Sequence, residues 1–157
     1  MSNLTAFLST ISHSEGTDRA PDPYRVCYGF KHTIADLSDH PSVTGEWAGE
    51  SLASLGPMYA HSISTAAGRY QIIRPTWQQC QAILRLPDFT GPSQDAAAIF
   101  LIKEKGALDM VNGGQVAEAI AKCSSIWASL PGSTSGQPQR KLADLIQVYG
   151  DAGGAFA

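Results

Sequence analysis

With 157 residues, 43% of them hydrophobic and 16% charged, the chain holds enough apolar material for one domain with a sizeable core, and it is not a disordered segment. Its net charge of -3, from 11 basic and 14 acidic residues, excludes the basic footprint of a nucleic-acid binder and the polybasic patch of a membrane-surface protein. Three cysteines, Cys27, Cys80 and Cys123, an odd number without CxxC spacing, read as reduced core thiols of a protein folded in a cytoplasm.

Residues 1–12 have no basic start and no continuous apolar run, so no signal peptide is read there, and no stretch approaches the length of a membrane span. Instead Leu4, Phe7, Leu8 and Ile11 recur at the spacing of an amphipathic helix. The phase carries Glu15 to the end of that helix at or near its buried side, where a carboxylate is costly unless paired or functional. Gly16 follows at once and suits a helix stop, and Thr17-Asp18 suit the turn beyond it. Taken alone, these residues also describe a helix that simply ends at the surface.

Residues 17–23 read as a loop. Tyr24 to Phe30 alternates and is rich in β-branched and aromatic residues, which predicts a strand with Gly29 as a bulge, and His32 to Ala35 predicts a short return strand. Asp36 to Pro41 is a polar turn. The segment 42–66, with Gly45, Gly49, Gly56 and Pro57, supports no regular element, and a long loop of this kind is often functional. Pro75 opens a helix running to about Leu86, with Trp77, Ile83 and Leu84 inward. A core helix starts at Gly91-Pro92-Ser93 and is ended by Gly106. Val116 to Cys123 and Arg140 to Tyr149 are two further helices, the second with Leu142, Leu145, Ile146 and Tyr149 inward, and the Gly-rich tail is expected to fray.

Four scattered histidines without HExxH give no metal site, and there is no GxSxG nucleophile and no Gly-rich phosphate loop. No metal and no cofactor are expected. What remains is Glu15, the β-region after it, and the polar run Gly68-Arg69-Tyr70-Gln71 between a loop and a helix. A carboxylic acid raised by desolvation can donate a proton near neutral pH. Asp18, Asp36 and Asp39 are the candidates for a second carboxylate beside it.

Seven segments, taken in order, resemble the bacteriophage lambda endolysin family of lysozyme-like lytic transglycosylases. They are Ser14-Glu15-Gly16-Thr17-Asp18, Ser38-Asp39-His40-Pro41, Gly68-Arg69-Tyr70-Gln71, Ser93-Gln94-Asp95-Ala96, Ile102-Lys103-Glu104, Gly106-Ala107-Leu108 and Ile126 to Gly132. The resemblance spans nearly the whole chain. It implies an α+β, mainly helical, lysozyme-like fold as a single domain over 1–157, with a small β-region lining the substrate cleft. It implies cleavage of the β-1,4 bond between N-acetylmuramic acid and N-acetylglucosamine in peptidoglycan, giving 1,6-anhydro-N-acetylmuramic acid. Glu15 falls on the family's catalytic acid, which then acts as base. Gln71, Tyr70 and Arg69 fall where such enzymes place cleft residues, and Tyr28 and Asp36 of the β-region join them as expected sugar contacts. Asp18 reads as a loop anchor. The expected partner is the peptidoglycan glycan strand, with no nucleic acid and no membrane span, and a monomer is expected. The enzyme would be made in the host cytoplasm and reach the cell wall in the periplasm through a holin-dependent release. Two alternatives stand beside this: a hydrolytic muramidase using one of the three aspartates, and a peptidoglycan-binding module without catalysis.

Overall fold

A computed structural model describes all 157 residues, and the chain divides into two compact units, one of residues 1–19 with 98–157 and one of residues 20–97. The elements in chain order are α1 (Asn3–Glu15), α2 (Pro41–Thr44), β1 (Glu50–Ser51), β2 (Ile63–Ser64), α3 (Arg74–Leu84), α4 (Gly91–Glu104), α5 (Leu108–Asn112), α6 (Val116–Cys123) and α7 (Leu142–Asp151). Helix α4 starts in the second unit and ends in the first. No helix is long and apolar enough to cross a membrane. The mainly helical architecture with a small β-region is the one expected.

In the first unit α1 packs on α7 and α5, and α6 packs on both of those helices. The α1 helix begins because Ser2 caps it, its hydroxyl accepting from Thr5 N–H at 3.1 Å. Phe7 and Ile11 are fully buried one turn apart, each contributing about 1.5–3 kcal/mol by burial. The helix ends because Gly16 takes a left-handed conformation, φ 80°, and returns its N–H to His13 O at 3.0 Å. Ile102, Val111, Ile120, Cys123, Leu130, Leu145 and Tyr149 complete this core. Of the residues expected inward on α7, Leu145 and Tyr149 are buried, Ile146 is half-buried, and Leu142, in the first turn, is exposed.

The tail does not fray as expected. Ala155 N–H donates to Asn3 Oδ1 at 2.8 Å and Ala157 N–H to Gly114 O at 3.1 Å. Tyr149 Oη donates to Ala155 O at 3.0 Å, and Phe156 meets the Tyr149 ring edge-on at 5.3 Å. A Gly-rich sequence carries no hint of such partners, because they come from residues distant along the chain.

In the second unit the predicted strands over 24–30 and 32–35 are corrected. Pro23–Arg25 is a 3-10 turn capped by Asp22, which accepts from Tyr24 N–H. Only isolated bridges follow, Val26 with Thr33 and Cys27 with Ala67. Gly29 at φ 86° and Phe30 at φ 59° turn the chain sharply and cut the ladder short. The regular pairing lies instead in the segment without a predicted element, where β1 and β2 run antiparallel with Glu50 opposite Ser64 and Ser51 opposite Ile63. Helix α3 buries Trp77 and Cys80, but Ile83 and Leu84 are exposed. Ile83 lies six residues beyond Trp77 and so faces away from it, and Leu84 sits in the last turn, before Arg85 breaks the helix at φ 54°. The centre of this unit is Trp77, Tyr70, Phe89, Ile34 and His40.

Candidate active site

In the first unit the carboxylate of Glu15 stands at the last residue of α1. Ser129 Oγ donates to Glu15 Oε1 at 3.1 Å, and Ser14 Oγ lies 2.7 Å from Ser129 Oγ. Arg140 binds this pair through two bonds: its Nε–H to Ser14 O at 3.1 Å and its backbone N–H to Ser129 O at 2.8 Å. Burial pushes the Glu15 carboxyl from the ordinary 4.5 up to about 7, against the opposing pull of the Ser129 hydroxyl and the Arg140 charge. A substantial share of the group therefore still carries its proton near neutral pH. Ser129 and Arg140 escaped the sequence reading as site residues. Ser129 lies 114 residues from Glu15, and no local periodicity reports such a pairing.

Asp18 does anchor its loop: its Oδ2 meets His13 Nδ1 at 2.7 Å. Ser12 and Thr17 hydroxyls, 2.8 Å apart, pin the same turn from within.

In the second unit Gly68-Arg69-Tyr70-Gln71 is a four-residue loop closed by an antiparallel bridge between Ala67 and Ile72. Gln94, almost fully buried, holds it from behind. Its Oε1 accepts from Arg69 N–H at 2.9 Å, and its Nε2 donates to Tyr24 O at 3.0 Å and Phe89 O at 2.7 Å. Two of the expected sugar contacts, Tyr70 and Arg69, have polar groups engaged within the fold. The Tyr70 ring is fully buried, and its hydroxyl donates to Asp95. Burial and that carboxylate both push the Tyr70 hydroxyl up, keeping it a neutral donor. Arg69 is tied into the same cluster: its Nη1 donates to Tyr24 Oη at 3.0 Å and Tyr70 Oη at 3.1 Å, with Asp95 at 4.0 Å. Asp95, one residue past the buried Gln94 on α4, completes a network invisible to helix periodicity.

Gln71, at φ 49°, donates both amide bonds inward, Nε2 to Gly68 O at 2.9 Å and to Val26 O at 3.2 Å. Only its Oε1 is left for a ligand. Tyr28 is half-buried, tied by its backbone N–H to Ala66 O at 2.9 Å, while its hydroxyl takes no protein partner. Asp36 is exposed and accepts from Ser38 N–H at 2.8 Å, which holds its carboxyl below the usual range. Its own backbone is clasped by Glu46, whose carboxylate accepts from Asp36 N–H and Ala35 N–H, each at 2.8 Å, and pairs with His32. Burial works to raise the Glu46 carboxyl, but these donors together hold it low. Asp39 is committed to structure, its Oδ1 accepting from Trp77 Nε1–H at 2.9 Å and His40 N–H at 2.7 Å.

Set against known proteins, residues 5–156 match the family model described as Endolysin. The chain belongs to the Endolysin family. It is 41% identical to the Endolysin of Escherichia phage lambda over 154 residues, covering 95% of this chain and 90% of that one. It is 38% identical to the Endolysin of Escherichia phage P2, covering 99% and 95%. Among solved structures, bacteriophage lambda lysozyme complexed with a chitohexasaccharide superposes with a TM-score of 0.84 at 39% identity, covering 99% of this chain and 96% of that one. The segments on which the family resemblance was read thus lie in an Endolysin chain.

A pH dependence of folding arises at His40, which is fully buried in this Endolysin. Its Nε2 donates to Ile72 O at 2.9 Å, and its Nδ1 accepts from Ser42 Oγ at 3.0 Å, which fixes a neutral ring. Burial pulls its pKa below the ordinary 6.5. As pH falls through that ordinary value the unfolded chain takes up the proton first, so stability is lost on acidification. Glu15 titrates in the opposite sense over the same range, so the measurement uses the Glu15→Gln background. There the melting temperature should fall between about pH 7 and pH 5.5, and His40→Gln should flatten that slope. An equal slope in both proteins would remove His40 as the cause.

Proposed function

We propose that this Endolysin is a lytic transglycosylase that cleaves the β-1,4 bond between N-acetylmuramic acid and N-acetylglucosamine in peptidoglycan, with Glu15 as general acid and then base. The observation that carries the reading is a carboxyl held at about 7 at the end of α1, with one hydroxyl donor on it. In this reading Glu15 protonates the glycosidic oxygen as the bond to C1 breaks. The C6 hydroxyl of the same N-acetylmuramic acid then bonds to C1, and its proton returns to the Glu15 carboxylate. The nucleophile is already tethered to the reacting ring, an advantage of effective concentration that bulk water lacks. Two of the three alternative carboxylates are committed, Asp18 to His13 and Asp39 to Trp77, which favours a one-carboxylate mechanism over hydrolysis. Support for a glycan partner comes from the chitohexasaccharide bound by the similar lambda lysozyme. Within the unit 20–97 the groups assigned to sugar are Gln71 Oε1, the Tyr28 hydroxyl and the Asp36 carboxylate. The place of action is the cell wall, reached from the host cytoplasm by a separate, holin-dependent release step.

The test is mass spectrometry of digested murein. The main products should be muropeptides ending in 1,6-anhydro-N-acetylmuramic acid, unchanged by borohydride. Products heavier by water, about 18 mass units, and reduced by borohydride would make the enzyme a hydrolase and return Asp36 to consideration.

A further inference from the structure

We propose that Ser129, backed by Ser14, is a positioning residue that decides which oxygen of Glu15 carries the acid proton. The inference rests on the reading of Glu15 as general acid. Ser129 has a single hydroxyl hydrogen, and it is given to Glu15 Oε1 at 3.1 Å. The 2.7 Å contact between the two serine hydroxyls must then be donated by Ser14, so the pair is a one-way chain ending on Oε1. An oxygen that already accepts is held as the carbonyl-type oxygen of the neutral acid. The proton then sits on Oε2, which takes no protein donor, and that is the oxygen left to give it to a glycosidic oxygen. When the proton has gone, the same hydroxyl stabilises the carboxylate that receives the C6 hydroxyl proton.

The chain is rigidly mounted. Ser14 is buried, and Arg140 holds its carbonyl and that of Ser129 together. Arg140 is the charged group that acts on Glu15; the next ionisable side chains on the helix and its following turn, His13 and Asp18, are paired with each other. A serine kept only for packing would not need its hydroxyl directed at a carboxylate.

The experiment is a carbon-13 carboxyl titration of Glu15 in the full chain, assigned with Glu15→Gln, run beside a pH profile of murein digestion. In the parent, digestion should fall as pH rises through about 7. In Ser129→Ala the Glu15 midpoint should rise by about one pH unit, roughly tenfold in proton affinity, because the hydrogen bond to the charged form is gone. The alkaline limb of digestion should move with it while the plateau rate drops about tenfold. Ser129→Thr should restore both, and Ser14→Ala should shift the midpoint in the same direction by less. A midpoint in Ser129→Ala equal to the parent's would overturn the proposal and leave Ser129 a packing residue. Should that variant not fold, an unmoved midpoint in Ser14→Ala overturns it instead. The titration does not depend on catalysis, so its failure is separable from failure of the acid assignment, which active Glu15→Gln protein would reveal.

Discussion

Purified Glu15→Gln should lose murein digestion by at least the factor of about 10²–10⁴ that a general acid supplies, and it should melt higher than the parent at about pH 8. The two outcomes have one cause. The amide matches the carboxyl in shape and can still accept from Ser129, but it holds no transferable acidic proton. On the stability side, the folded pKa of Glu15 is raised from 4.5 to about 7. The fold thus favours the protonated form; that contribution is fully present below 4.5 and is lost as pH rises through 7. Above 7 the parent carries a crowded charge whose cost is on the order of 3 kcal/mol, taking about 1.4 kcal/mol per pH unit. Gln carries no such charge. Activity loss with a higher melting temperature at alkaline pH, and no gain at about pH 4, would mark Glu15 as a group kept for chemistry at the expense of stability. A variant retaining half the parent rate would remove Glu15 as the acid.

Helices were legible where the apolar period was long. The α1 pattern of Leu4, Phe7, Leu8 and Ile11 and its Gly16 stop correspond to the observed helix and cap. Val116, Ala119, Ile120 and Cys123 on α6 are all buried as their spacing requires. The failures share a physical origin. Tyr24 to Phe30 has strand-like residues, but Pro23 and the positive φ values at Gly29 and Phe30 override that preference. Tyr70 and Arg69 are expected as ligand contacts because the resemblance puts Gly68-Arg69-Tyr70-Gln71 among cleft residues. Their polar ends are consumed by Tyr24 and Asp95, partners separated from them by tens of residues. The roles of Ser129, Arg140 and Gln94 stay hidden for the same reason: each acts through contacts that only the folded chain brings together.

Gly68→Ala should lower the melting temperature by roughly 5–15 °C, the equivalent of about 2–4 kcal/mol at this chain length. Two costs add. Gly68 sits at φ 79°, where an L side chain is strained by about 1–2 kcal/mol. A Cβ there would also stand 2.2 Å from Gln94 Oε1, 2.8 Å from Gln94 Cδ and 3.0 Å from Phe89 Cζ. A long side chain can often swing clear of such a clash. Gln94 cannot do so cheaply, because its amide answers Arg69 N–H, Tyr24 O and Phe89 O at once inside a buried site. Moving it leaves three backbone groups without their partner, and Phe89, edge-on to Trp77 at 4.6 Å, has no room to yield. Gly45→Ala isolates the packing part of the effect. Gly45 has nearly the same backbone, φ 84°, but nothing within 4 Å of the added carbon, so it should show the backbone cost alone. If Gly68→Ala melts no lower than Gly45→Ala, Gln94 is free to move and does not fix the loop that carries Gln71. If it melts well below, the bare Gly68 is explained by the amide behind it, and the 68–71 loop owes its shape to a residue on α4.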